Sequence, residues 1–313
     1  MEKIQREDIH LISKHSNLSK NGIANALREK IYPDNESWQK FLRLLFLTFG
    51  IGFTVSGIVF FFAYNWADLH KFIKLGLIES LIIITTVVVL LPSITNTTRS
   101  IILTGSSVLV GVLFAVFGQI YQTGANAYDF FLVWTLFVTL WVLVSNFAPL
   151  WLLYLLLINT TLILYDQQVA SDWSTVLLFT LLFLLNSGIL IIAMLISKYQ
   201  SSIRIPIYFL NIMALGAATF ATIGIICGIF KPSMPEFPVL ALSCGLAFIG
   251  GIWHGIKIKS GFYLSVIPFS LIIIVSALLI KISEDEWMFL LISVFIIISV
   301  TLVIRNLINM HQK

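Results

Sequence analysis

The 36-residue run FFLVWTLFVTLWVLVSNFAPLWLLYLLLINTTLILY, Phe130 to Tyr165, decides how often this chain crosses a membrane. Polar residues barely interrupt it, and only Asn146 and Pro149 offer a break. A proline tends to end or begin a helix, because it lacks an N–H and its ring crowds the preceding residue. The pair therefore marks a tight turn between two spans, 128–145 and 148–165. Reading through the turn would leave nine spans where ten are otherwise expected.

Composition agrees with a membrane chain. Of 313 residues, 58% are hydrophobic and 11% charged, whereas a soluble domain carries about 25% charged residues. Apolar runs lie at about 42–63, 72–91, 101–121, 128–145, 148–165, 175–197, 206–230, 238–256, 262–280 and 287–304. Each is near the roughly 20 residues that cross a hydrocarbon core of about 30 Å. The expected fold is all-α, a polytopic transmembrane bundle of about ten spans behind a short N-terminal cytosolic helical segment.

That segment, 1–40, holds two short amphipathic elements, one around Ile9 and Ile12, the other with Ile23, Ala26, Leu27 and Ile31. Ser19 is placed to cap the second, and Pro33 closes it. No short apolar core with a small-residue cleavage site precedes Trp38, so the first run is expected to serve as the membrane signal. The remainder divides into 41–170, with spans one to five, and 171–313, with spans six to ten.

Charge sets the orientation. With the N-terminus inside, fifteen of the nineteen Lys and Arg fall on the cytoplasmic side, and only Lys71, Lys74, Lys231 and Lys281 fall in outer loops. This obeys the positive-inside rule and puts both termini in the cytoplasm. Asp68, Asp129, Asp166, Asp172, Glu236, Glu284, Asp285 and Glu286 would lie outside. The net charge of +4 thus reads as topology, and no nucleic-acid partner is expected.

Chemistry-bearing motifs are scarce. Cys227 and Cys244 sit in apolar runs as packing residues. The five histidines have no metal-ligand spacing, and phosphate-loop, H-E-x-x-H, G-x-S-x-G and C-x-x-C patterns are missing. No enzyme, cofactor or metal is expected. Small residues recur every four positions at Gly111 and Ala115, at Gly224 and Gly228, and at Ala247, Gly251 and Gly255; such stripes let helices approach closely in lipid.

Polar groups gather at two span ends on the outer side. The first span ends in FFFAYNWADLHK, with Asn65, Trp66 and Asp68; the third ends in GQIYQTGANAYD, with Gln119, Tyr121, Gln122, Thr123, Asn126, Tyr128 and Asp129. An interfacial aromatic belt accounts for Trp and Tyr. Gln119 and Gln122, at i and i+3, would share a helical face and need partners, which Asn65 or Asp129 could supply. Glu79 is the remaining candidate, about 10 Å inside the second span at 1.5 Å per residue. On a stripe with Gly76, Ile83 and Thr86, it is expected to point between helices, paired or protonated.

The elements GIGFTVSGIVFFFAYNWADL, Gly50 to Leu69, and GQIYQTGANAYDFFLVW, Gly118 to Trp134, resemble bacterial membrane proteins of the domain-of-unknown-function family 2157. The resemblance covers roughly the first 170 residues. It implies a multi-pass inner-membrane protein with small membrane-anchored envelope proteins as candidate partners, and it hands over no catalytic residues. Two functions are carried forward. In the first, the outer polar site binds or moves a small solute or envelope component; in the second, the chain is a non-transporting assembly or sensory partner of other envelope proteins.

Overall fold

The computed structural model describes residues 19, 21–23, 35–64, 69–122, 124–200, 205–231, 234–282 and 286–311. Ten helices, each long and apolar enough to span a membrane, make up nearly all of them. These are α1 (Asn35–Tyr64), α2 (Lys71–Leu90), α3 (Asn96–Tyr121), α4 (Ala127–Ser145) and α5 (Ala148–Gln168), followed by α6 (Thr175–Tyr199), α7 (Ile207–Phe230), α8 (Phe237–Lys257), α9 (Tyr263–Ile282) and α10 (Glu286–His311). Among the described residues there is no strand. The physical reason is general: lipid offers backbone N–H and C=O groups no partner, so a spanning segment must bond them internally.

The turn that fixes the span count forms where Asn146 and Pro149 mark it. Asn146 is left-handed (φ 45°, ψ 41°), and Pro149 occupies the first turn of α5. Asparagine tolerates this conformation better than most side chains, so the 36-residue run folds as two helices. Ser19 caps as expected, accepting from Gly22 N–H at 3.2 Å; most of the expected tail lies outside the described residues. Residues 35–40, assigned to that tail from sequence, are instead the first turns of α1.

Many hydroxyls inside the spans bond back to their own helix. Thr135, Thr222 and Ser107 each donate to the carbonyl four residues earlier, at 2.7, 2.7 and 2.8 Å. Such back-bonding satisfies a polar side chain without a partner helix.

Packing divides the chain into two compact units, Met1–Val116 and Phe117–Lys313. In the first, α1, α2 and most of α3 line a cavity of about 310 Å³. Gly105 permits this approach, since a Cβ there would stand 2.6 Å from Ile51 Cγ2. Ser106 Oγ donates to Thr85 Oγ1 at 2.8 Å, tying α3 to α2. Arg99 closes α2, donating from Nε to Val89 O at 2.8 Å and from Nη2 to Leu91 O at 3.4 Å. A cation on the last carbonyls of a helix also favours the helix dipole.

The second unit is organised around α7, which packs on α5, α6, α8 and α9, while α10 packs on α9. Its main core joins Val176 and Phe183, Ala217 and Ala221, Leu240 and Cys244, and Ile267. Lipid tails are as apolar as these side chains, so closeness of packing, more than removal from water, holds such a core. Two of the small-residue stripes serve it. A Cβ on Gly224 would lie 2.8 Å from both Phe179 Cβ and Leu240 Cδ2, and one on Gly251 2.5 Å from Ile267 Cδ1. Ala115 and Ala247, counted in the stripes, are exposed.

Candidate functional site

Of the span-end residues singled out, Asn65, Trp66, Asp68 and Thr123 lie outside the described residues. Helix α3 ends at Tyr121, and Gln122 follows it in the left-handed conformation (φ 42°), with Gly124 at φ 64°. This corrects the expected i, i+3 pairing of Gln119 with Gln122, because the helical periodicity stops between them. Both amides are exposed, as are Gly124, Ala125 and Asn126, and Tyr121 is 44% exposed.

The chain is then pinned. Asn126 N–H donates to Asp129 Oδ2 at 3.1 Å. Asp129 thereby fixes the start of α4 and sets a negative charge on its positive dipole end. Tyr128 N–H donates to Gln168 Oε1 at 3.0 Å, joining the start of α4 to the end of α5. The Tyr128 ring meets Tyr165 edge-on at 5.4 Å, and Tyr165 meets Trp173 at 5.5 Å.

This platform continues through residues that sequence reasoning did not select. Ser174 Oγ caps α6 through Leu177 N–H at 3.0 Å and donates to Glu236 Oε2 at 3.1 Å. Lys231 Nζ donates to Thr175 Oγ1 at 3.3 Å, and Lys281 Nζ donates to the carbonyl of Ile229. The signal was available only as loop polarity. Nothing in the spacing indicates that position 168 meets 128 or that 174 meets 236.

Glu79 departs from expectation. Helix α2 buries Ile78 and Val89 and leaves Ile83 and Ile84 exposed; Glu79, about 100° round from Ile78 at 3.6 residues per turn, is exposed as well. A carboxylate aimed between helices is therefore ruled out within this unit. Lys74, assigned to an outer loop, is instead a buried residue in the first turn of α2. Because Glu79 is exposed, Glu79→Gln and Glu79→Leu should each shift stability by no more than about 0.5 kcal/mol. Thermal unfolding of the purified variants checks this, and a loss several times larger would return Glu79 to a packed position.

A polar pair that sequence reasoning missed sits in the middle of the second unit. Asn186 Nδ2 donates to Asn159 Oδ1 at 2.7 Å, and Asn159 Nδ2 donates back to Asn186 Oδ1 at 3.2 Å. Each amide also donates to its own helix, to Leu155 O and Leu182 O, both at 2.8 Å. Both side chains are buried. All four amide protons are used, so the pair reads as a clasp between α5 and α6.

The cavities of this unit lie elsewhere. One of about 270 Å³ is lined by Trp151, Ile192 and Phe209; one of about 560 Å³ is lined by Lys259, Pro268 and Met310. Neither includes a residue of the Gln119–Asp129 motif. Among the described residues, no group of three or more His, Cys, Asp or Glu could hold a metal ion.

Residues 18–151 match the model of a family described as predicted membrane protein (DUF2157). No curated protein and no solved structure matches the chain.

Proposed function

We propose that this protein, which carries the DUF2157 membrane region at residues 18–151, is a non-transporting docking partner that offers its outer rim to another component of the cell envelope. The supporting observation is the exposure of Gln119 and Tyr121, in the last turn of α3, and of Gln122 and Asn126, on the loop that follows, whose downstream end is fixed by the Asn126–Asp129 bond. Amides held out from a pinned turn suit recognition of a surface, since their donors and acceptors are not engaged within a cavity. Left-handed Gln122 adds to this, because a non-glycine residue there is costly and such costs cluster where a side chain is being presented. In this reading the chain is a bacterial inner-membrane protein with cytoplasmic termini, it performs no catalytic step, and its partner is a small membrane-anchored envelope protein.

A photo-crosslinking residue placed at Tyr121 or Gln122 in native membranes should yield one discrete protein adduct. The same residue at Leu140, which is 71% exposed in mid-α4, should yield lipid adducts alone. Identical patterns from all three positions would defeat the docking reading.

A second reading, binding of a small polar solute, draws on the cavity of the first unit, to which Thr54, Thr85 and Ser106 bring hydroxyls. Their protons already serve Gly50 O, Leu81 O and Thr85 Oγ1. Only lone pairs remain for a ligand, which makes this the weaker reading.

A further inference from the structure

The 560 Å³ cavity between the ends of α8, α9 and α10 combines two chemistries. Its lining joins apolar Leu264, Pro268 and Met310 to polar Lys259, Asn306 and Asn309. Pro268 lies inside α9, where it has no N–H for the carbonyl of Leu264 one turn earlier, and such a break loosens a helix at that point.

Lys259 is an unexpected residue for its place. Helix α8 ends in a Schellman motif, with Ser260 N–H on Gly255 O at 2.9 Å and Lys259 N–H on Ile256 O at 3.3 Å. The residue at this position takes φ 51°, a conformation that glycine normally supplies. A lysine is held there at a backbone cost. Among the described residues it has no carboxylate partner, whereas Lys257, two residues earlier, lies over the Trp253 ring at 5.4 Å. The cavity thus brings together a cation without a carboxylate partner among the described residues, two amides and an apolar lining.

We infer that this cavity is a binding site for one anionic phospholipid, its phosphate at Lys259 and the two amides and an acyl chain along Leu264, Pro268 and Met310. Charge selects the occupant. A zwitterionic lipid would bring its own cation to Lys259, and an uncharged lipid would leave Lys259 unpaired. Basic pockets between spanning helices on the cytoplasmic side recognise anionic headgroups in this way, and the distribution of Lys and Arg assigns these helix ends to that side.

Native mass spectrometry of the full chain in detergent tests the inference, with phosphatidylglycerol and phosphatidylcholine of matched acyl chains. The wild-type protein should retain phosphatidylglycerol about fivefold better than phosphatidylcholine, the advantage of one basic contact. Lys259→Gln should remove that preference, and Lys198→Gln, on the end of α6, should leave it intact. Lys259→Gly should lose the preference while raising the melting temperature, because glycine relaxes the left-handed turn; this separates lipid binding from folding. Equal retention of both lipids by the wild type, an unchanged preference in Lys259→Gln, or displacement of phosphatidylglycerol by millimolar inorganic phosphate would each overturn it.

Discussion

Gly224→Leu should be among the most damaging single substitutions in the second unit, lowering stability by about 3 kcal/mol. A Cβ at this position already falls 2.8 Å from Phe179 Cβ on one side and 2.8 Å from Leu240 Cδ2 on the other. Phe179 Cβ is the decisive neighbour, because it is fixed to its own backbone and cannot rotate away. Helix α7 would have to move off α6, and α7 is the element on which α5, α6, α8 and α9 all pack. Gly224→Ala should show the same effect in reduced form, about 1 to 2 kcal/mol. One turn later, a Cβ on Gly228 would overlap the Phe237 ring, so Gly228→Leu belongs with it. Gly245 and Gly250 are the internal controls, with nothing within 4 Å of a Cβ. Alanine at either should be neutral or add up to about 1 kcal/mol through helix propensity. Melting temperatures of the purified variants would decide the matter, and equal effects at 224 and 250 would mean that α7 is not packed as described.

These stripes were visible in the sequence because close approach in lipid has a chemical requirement that composition records. The ten helices were visible for a similar reason, since span length and apolar content are both imposed by the bilayer. The turn at Asn146 could be placed because asparagine and proline act locally. Legibility failed wherever the answer depended on direction or partner. Helix α2 is apolar around most of its circumference, so periodicity could not tell which side Glu79 faces, and the structure leaves it exposed. Gln119 and Gln122 were paired on the assumption of continuous helix, and the chain leaves the helix after Tyr121. The platform at the start of α4 is a sharper case. Gln168, Ser174 and Glu236 look like ordinary loop and cap residues, and their meeting with Tyr128 and α6 is a product of helix order. Polarity alone marks such positions without naming their partners.

Asn159 and Asn186 carry that argument to the core, and they support the second large effect. An asparagine in the middle of a span is costly unless paired, and these two are 27 positions apart with nothing in the intervening sequence to join them. In the structure each satisfies the other, with a Cβ on Gly216 of α7 falling 4.0 Å from Asn186 Oδ1. Asn186→Leu should therefore cost about 2 kcal/mol, combining the lost hydrogen bonds with an amide left facing a hydrocarbon side chain. Asn159→Leu should cost a similar amount. The double variant should cost less than the sum by about 1 kcal/mol, because removing both amides leaves neither one orphaned. Asn→Ala at the same sites gives the cycle without the added bulk beside Gly216. The measurement is unfolding of all four proteins in one detergent, and additive losses would show that the two amides find other partners and that α5 and α6 are joined by apolar packing alone.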